Sequence, residues 1–153
     1  MKGAESSSET RERNLEIAGR LVELYEREGP WAVDRHFDEF FHPGFEWTPA
    51  VSELGDRTYV GREGFREWQQ DMQAITDEAI QTDFEVRALG DRVMLVLSRL
   101  RIVGKESGAE FESEYGAAYE MEDGRGVTGR AFLTHDEAVR FAEKIAGGER
   151  NSA

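Results

Sequence analysis

The chain has no cysteine. That absence excludes disulfides, thiolate nucleophiles and thiolate metal ligands together, and it suits a reducing compartment. Positive charge is also scarce: 19 Lys and Arg stand against 32 Asp and Glu, for a net charge of -13. A field of that sign repels phosphate backbones and anionic lipid, so neither nucleic acid nor a membrane surface is an expected partner. No apolar run approaches the roughly 20 residues of a membrane-spanning helix, and the opening MKGAESSSETRER has no apolar core of the kind a secretory leader carries. A cytoplasmic protein is therefore expected. What is present is 153 residues at 39% apolar content, the size of one ordinary domain with room for a sizeable core.

The hydrophobic pattern changes period along the chain. Residues 1–9 are polar and Ser-rich and have little to bury, so a disordered tail is expected there, with a single domain over 10–147 and a short tail over 148–153. Leu15, Ala18, Leu21, Val22 and Tyr25 recur at helical spacing until Gly29 and Pro30 stop that helix and start another. The second helix carries Val33, Phe37, Phe40 and Phe41 on one side and ends at His42 and Pro43. After the short aromatic strand around Trp47 and a turn-rich stretch, Tyr59 and Gly61 lead into a third helix. Its Phe65, Trp68, Met72 and Ile75 form a stripe suited to packing on a sheet. From about Ile80 the period becomes two, with strands joined by turns at Gly90 and Asp91, at 104–109, and at Asp123 and Gly124. Thr134 and Glu137 then fit a capping box that opens a last helix with Ala138, Phe141, Ala142 and Ile145 on one face.

Three helices, a meander and one closing helix imply an α+β domain in which an antiparallel sheet curls around helices. If the 104–109 turn pairs Arg99 with Glu114 and Arg101 with Glu112, one sheet face carries these charges beside Leu95, Leu97, Gly116 and Ala118. The other face collects Met94, Val96, Leu100, Ile102, Phe111, Tyr115, Ala117 and Tyr119. Both faces are more apolar than a solvated face should be. One is expected to cover a pocket and the other to meet a second subunit in a homodimer.

The segments RLVELYEREG, FHPGFEW, YVGREGFREW, GDRVMLVLSRLRIVGKESG, EMEDGRGVTGRAFL and THDEAVRFA, taken in this order, resemble the nuclear transport factor 2-like superfamily, and within it the SnoaL-like group that includes polyketide cyclases. The resemblance spans about residues 12 to 147. It implies a cystatin-like, cone-shaped sheet wrapped around the three N-terminal helices, with a deep pocket and dimerisation through the convex face. It also implies that the concave face is the one bearing Leu95, Leu97, Arg99, Glu114, Gly116, Ala118, Gly129 and Ala131.

The catalytic patterns of that superfamily are not matched. Steroid isomerases of this kind place a Tyr and two acids where this chain has Leu21, Trp47 and Gly116, which offer neither a general base nor an oxyanion donor. The acid that related epoxide hydrolases and cyclases carry near the last strand falls among Arg130, Ala131 and Thr134. What remains as a ligand-binding set is Trp47, Tyr59, Trp68, Leu97, Arg99 and Glu114, with aromatics to stack on a largely apolar molecule and a charged pair to orient it. The plainer alternative is that the tryptophans are core and that Arg99 with Glu114 is a cross-strand ion pair. Glu114 and Glu46 are the candidate bases if the protein is a cyclase, isomerase or hydrolase, with Arg99 as electrostatic partner. A non-catalytic dimerisation or interaction module is the third possibility.

GRGVTG at 124–129 matches the dinucleotide fingerprint in letters only, because a strand and not a helix should follow it. His36, His42 and His135 lack metal-ligand spacing, and His135 is expected at a helix start facing water. Glu110, Glu112 and Glu114 have strand spacing without a calcium loop. No cofactor and no metal are expected.

Overall fold

Gly29 leaves the first helix with φ 87°, a conformation that glycine adopts without strain, and Pro30 opens the next element. The computed structural model describes residues 7–50 and 57–148. Helix α1 runs Ser7–Glu28, so it takes in three positions of the tail expected over 1–9. The rest of that tail, and nearly all of 148–153, lies outside the described residues. A 3-10 helix spans Pro30–His36, and α2 spans only Phe37–Phe40. The strands are β1 Phe41–Thr48, β2 Tyr59–Val60, β3 Thr76–Leu89, β4 Val93–Gly104, β5 Glu110–Glu122 and β6 Arg125–Phe132. Helix α3 covers Gly61–Ile75, and α4 covers His135–Ala146.

The second helix is therefore shorter than its apolar spacing predicts, because Phe41 already belongs to β1. Its ring stacks on that of Phe45 at 4.1 Å, an aromatic contact that an extended backbone allows. His42 and Pro43 lie within the strand, in a stretch where the register against β6 shifts between Phe41 and Glu46. A proline has no ladder donor to offer, and such an irregularity is where a strand tolerates one.

The six strands form one sheet in the order β2-β1-β6-β5-β4-β3. Strands β1 and β6 are parallel while the other pairs are antiparallel, so the sheet is mixed and not wholly antiparallel as the meander suggests. Helix α3 touches β1 and β2 towards one edge and β3 at the other, which requires the sheet to curl around it. The pairing of Arg99 with Glu114 and of Arg101 with Glu112 is the expected register. The charges do not close on those partners: Arg101 pairs with Glu78 and Glu110 instead.

The two faces bury against different helices. On the inner face, Met94, Val96, Ala117, Tyr119, Phe45 and Trp47 pack against Ile17, Leu21 and Leu24 of α1, Val33, and Phe65 of α3. On the outer face, Val93, Leu95, Leu97 and Ala118 pack against Ala138, Ala142 and Ile145 of α4. This corrects the face assignment implied by the resemblance. Leu95, Leu97, Gly116 and Ala118 lie beneath α4, and only Gly129 and Ala131 of the expected concave set belong to the inner face. Small residues make room on both sides. A Cβ on Gly116 would lie 2.6 Å from that of Ala138, and one on Gly129 would lie 2.8 Å from the Tyr119 ring. Because each face has a helix cover within the chain, its apolar content no longer calls for a second subunit.

Helix α4 is held at both ends. The Thr134 hydroxyl accepts from the Glu137 backbone N–H at 3.2 Å, as the capping box predicts. At the other end, Arg92 donates to the Ile145 carbonyl at 2.7 Å and to buried Glu120 at 3.3 Å, while Thr128 donates to the second oxygen of Glu120 at 2.8 Å.

Strand β3 carries an irregularity that decides what faces inward. Asp83 has φ 55°, and the pairing with β4 shifts between Thr82 and Glu85. Before that bulge, Ala79 and Gln81 stand opposite the inward residues Ile102 and Leu100; after it, Val86 and Ala88 stand opposite Val96 and Met94. Phe84 turns inward to stack on Tyr25, with ring centroids 5.9 Å apart.

Candidate functional site

Where the curled sheet leaves α3, a cavity of about 410 Å³ opens between helices and strands. Trp68, Met72 and Ile75 of α3 form one wall, the apolar stripe that the sequence shows on that helix. Leu100, Ile102, Phe111 and Tyr115 form the sheet wall, and Pro30 and Trp31 close one side. Phe111 and Ile75 are 43% and 51% exposed and mark the rim. Among the described residues, the lining contains no charged side chain; its polar side chains are Thr76, Gln81 and Tyr115. A site of this volume and character suits a small, uncharged and largely apolar molecule, since an unpaired charge placed there would lose its hydration without compensation.

Beside the cavity, on the same inner face, the tyrosines form a cluster. The Tyr119 hydroxyl is hydrogen bonded with that of Tyr25, and Tyr115 lies close enough to feel both. Burial pushes the Tyr25 phenol up to about 12, an effect partly offset by the bond with Tyr119. Burial also raises Tyr115 and Tyr119 far above the ordinary tyrosine range, with the neighbouring phenols adding to it. All three stay protonated at neutral pH, so the Tyr115 hydroxyl keeps a proton to donate.

The residues singled out in the sequence are scattered by this geometry. Trp68 lines the cavity. Trp47 is 3% exposed and sits behind it, its ring edge-on to Trp68 at 5.4 Å. The indole N–H groups of both are buried without an acceptor, a cost that the aromatic packing around them must offset. Tyr59 is buried beneath the Arg57 guanidinium, 4.2 Å from the ring centre, and is not part of the lining.

Leu97, Arg99 and Glu114 lie on the outer face, across the sheet from the cavity. Glu114 accepts from the His135 backbone N–H at 2.9 Å and lies 3.8 Å from its ring Nδ1, so it serves the start of α4. His135 does not simply face water, because its Nε2 lies 2.8 Å from the Ser98 carbonyl oxygen. Glu46 is exposed on β1, opposite Val60 and Thr128. None of the three candidate catalytic residues, Glu114, Glu46 or Arg99, touches the cavity. GRGVTG turns at Gly124 directly into the strand β6, and no helix follows it as the dinucleotide fingerprint requires.

The sheet residues of the cavity were not singled out from the sequence, yet alternation had already grouped most of them. Leu100, Ile102, Phe111 and Tyr115 share one face by their spacing. That face lines the cavity. Gln81 had no such signal, because the bulge at Asp83 reverses the phase of the strand.

No family model matches the sequence, and no curated protein matches it either. Solved structures do. An NTF2-like protein of unknown function from Burkholderia pseudomallei K96243 superposes with a TM-score of 0.67 at 16% identity, covering 85% of this chain and 97% of its own. A candidate SnoaL-like polyketide cyclase from Jannaschia sp. CCS1 gives 0.60 at 19% identity, with 91% and 96% covered. TerC, co-crystallized with polyporic acid, gives 0.64 at 15% identity, with 86% and 98% covered. The chain has the nuclear transport factor 2-like fold, an α+β arrangement of four helices on a six-stranded mixed sheet, and its structural neighbours are NTF2-like and SnoaL-like proteins.

Proposed function

We propose that this protein binds a small, uncharged, largely apolar molecule in the cavity between α3 and the sheet. The observation that carries this is the roughly 410 Å³ cavity whose described lining is aromatic and aliphatic and lacks any charged side chain. That a structural neighbour was co-crystallized with polyporic acid supports small-molecule binding by this fold. It does not transfer the ligand. The catalytic alternative finds no support in the geometry, since Glu114, Glu46 and Arg99 are turned away from the cavity.

Calorimetric titration with 2-ethylnaphthalene, a neutral probe well within the cavity volume, tests the proposal. Saturable binding that is lost in Ala79→Phe, a variant that fills the cavity from β3, is the expected result. An affinity indifferent to that substitution, or no binding up to the probe's solubility, overturns it, provided circular dichroism shows the variant folded.

A homodimer through the convex face would have to use the part that α4 leaves open, where Arg99, Arg101, Glu112 and Glu114 stand, so its contact would be polar. Light scattering at micromolar concentration decides that. A cytoplasmic location remains our proposal from the absence of cysteine. Among the described residues, no helix is long and apolar enough to cross a membrane.

A further inference from the structure

Apart from Thr76, the polar side chains at the cavity lie along one line. Gln81 on β3, Ser98 on β4 and Tyr115 on β5 occupy neighbouring inward positions on three adjacent strands: Gln81 pairs with Leu100, two residues from Ser98, and Ser98 stands directly opposite Tyr115. The Ser98 hydroxyl, 1% exposed, donates to the carboxamide oxygen of Gln81 at 3.2 Å. From the other side of the sheet, His135 Nε2 meets the Ser98 carbonyl oxygen at 2.8 Å, which ties this point of β4 to the start of α4. With its oxygen engaged, the Gln81 amide presents its nitrogen as the remaining polar group, and both Gln81 and Tyr115 line the cavity. A carboxamide in an apolar wall costs free energy unless its donors are used.

We infer that this row selects the ligand: Gln81 and Tyr115 donate to a neutral acceptor such as a carbonyl oxygen, and Ser98 is the positioning residue that aims the Gln81 amide. This deepens the binding proposal above and rests on it. The site then prefers a ketone over the hydrocarbon of the same shape. It disfavours the corresponding carboxylate, which would find donors but no cation in the described lining and a chain of net charge -13 around it.

Three probes separate these effects: 2-acetylnaphthalene, 2-ethylnaphthalene and 2-naphthoate, each titrated calorimetrically into the full chain. The ketone is expected to bind about three- to thirtyfold more tightly than the hydrocarbon, the range set by one or two net hydrogen bonds, with the carboxylate weakest. In Gln81→Leu and Tyr115→Phe that ratio should fall towards one. In Ser98→Ala the ratio should fall in the same way, which a purely structural role for Ser98 would not produce. If ketone and hydrocarbon bind equally to the unmodified protein, or if the ratio survives in all three variants, the inference is overturned and the binding proposal stands. If neither neutral probe binds, the binding proposal itself fails.

Discussion

Gly116 lies so close beneath Ala138 that a methyl group on it would come within 2.6 Å of the Ala138 Cβ and 3.0 Å of a Leu97 methyl. Helix α4 can approach β5 only because that side chain is missing. Gly116→Ala is expected to destabilise the fold by about 1–3 kcal/mol through overpacking. Ala138→Gly in the same chain should recover part of the loss despite the roughly 1 kcal/mol that glycine costs a helix. Urea denaturation of the two single variants and the double variant measures this as a coupling, and strict additivity would exclude a steric cause.

Trp47 and Trp68 touch, yet their substitution should have different consequences. Trp47 is core, so Trp47→Ala should cost about 3–5 kcal/mol of stability. Trp68 is partly exposed and lines the cavity, so Trp68→Ala should cost less in stability and weaken 2-ethylnaphthalene binding at least about tenfold. Thermal melts beside calorimetric titration separate the two effects.

The buried phenols make the fold sensitive to alkali. In the unfolded chain a tyrosine ionises near its ordinary value of 10.0, while folded Tyr25 holds its proton to about 12. Above pH 10 the unfolded state has lost a proton that the folded state keeps, so stability is full below that point and falls as pH rises. The loss from Tyr25 is about 1.4 kcal/mol per pH unit between 10 and 12. Tyr115 and Tyr119, raised further, extend it upward. Tyr25→Phe should flatten the slope of stability against pH in that window, as read by chemical denaturation at successive pH values.

Arg92 joins the end of α4 to Glu120, whose side chain is 9% exposed, and its removal leaves a buried carboxylate with Thr128 as its remaining named partner. Arg92→Met should destabilise by about 1–3 kcal/mol, less than a fully enclosed pair would lose because Arg92 itself is 43% exposed. Adding Glu120→Gln should cost less than the sum of the two single effects. Amide exchange should show faster opening confined to the last turn of α4.

Element order, the α3 stripe, the Thr134 cap and the β4–β5 register were legible in the sequence because each depends on local chemistry or on period. The choice of face was not. Gly116 and Ala118 leave room on their face for a helix or a ligand alike; the apolar α4 fills it, and only contacts between distant segments reveal which. The parallel pairing of β1 with β6 was hidden for the same reason, since it joins opposite ends of the chain. Trp47, Tyr59 and Trp68 are neighbours along one aromatic segment, which made them look like one site. The structure puts Trp47 and Tyr59 in the core and Trp68 in the cavity wall.

The inserted residue at Asp83 gives β3 two phases. Alternation counted back from Phe84 and Val86 would turn Thr82 and Ile80 inward, whereas the bulge sends Gln81 and Ala79 inward and leaves Ile80 41% exposed beside Arg101. One residue of chain length thus separates two cavities of different chemistry: one walled at this edge by an amide and a methyl group, the other by a hydroxyl and a branched aliphatic chain. A single-codon deletion could respecify what this protein recognises without substituting any residue that lines the pocket.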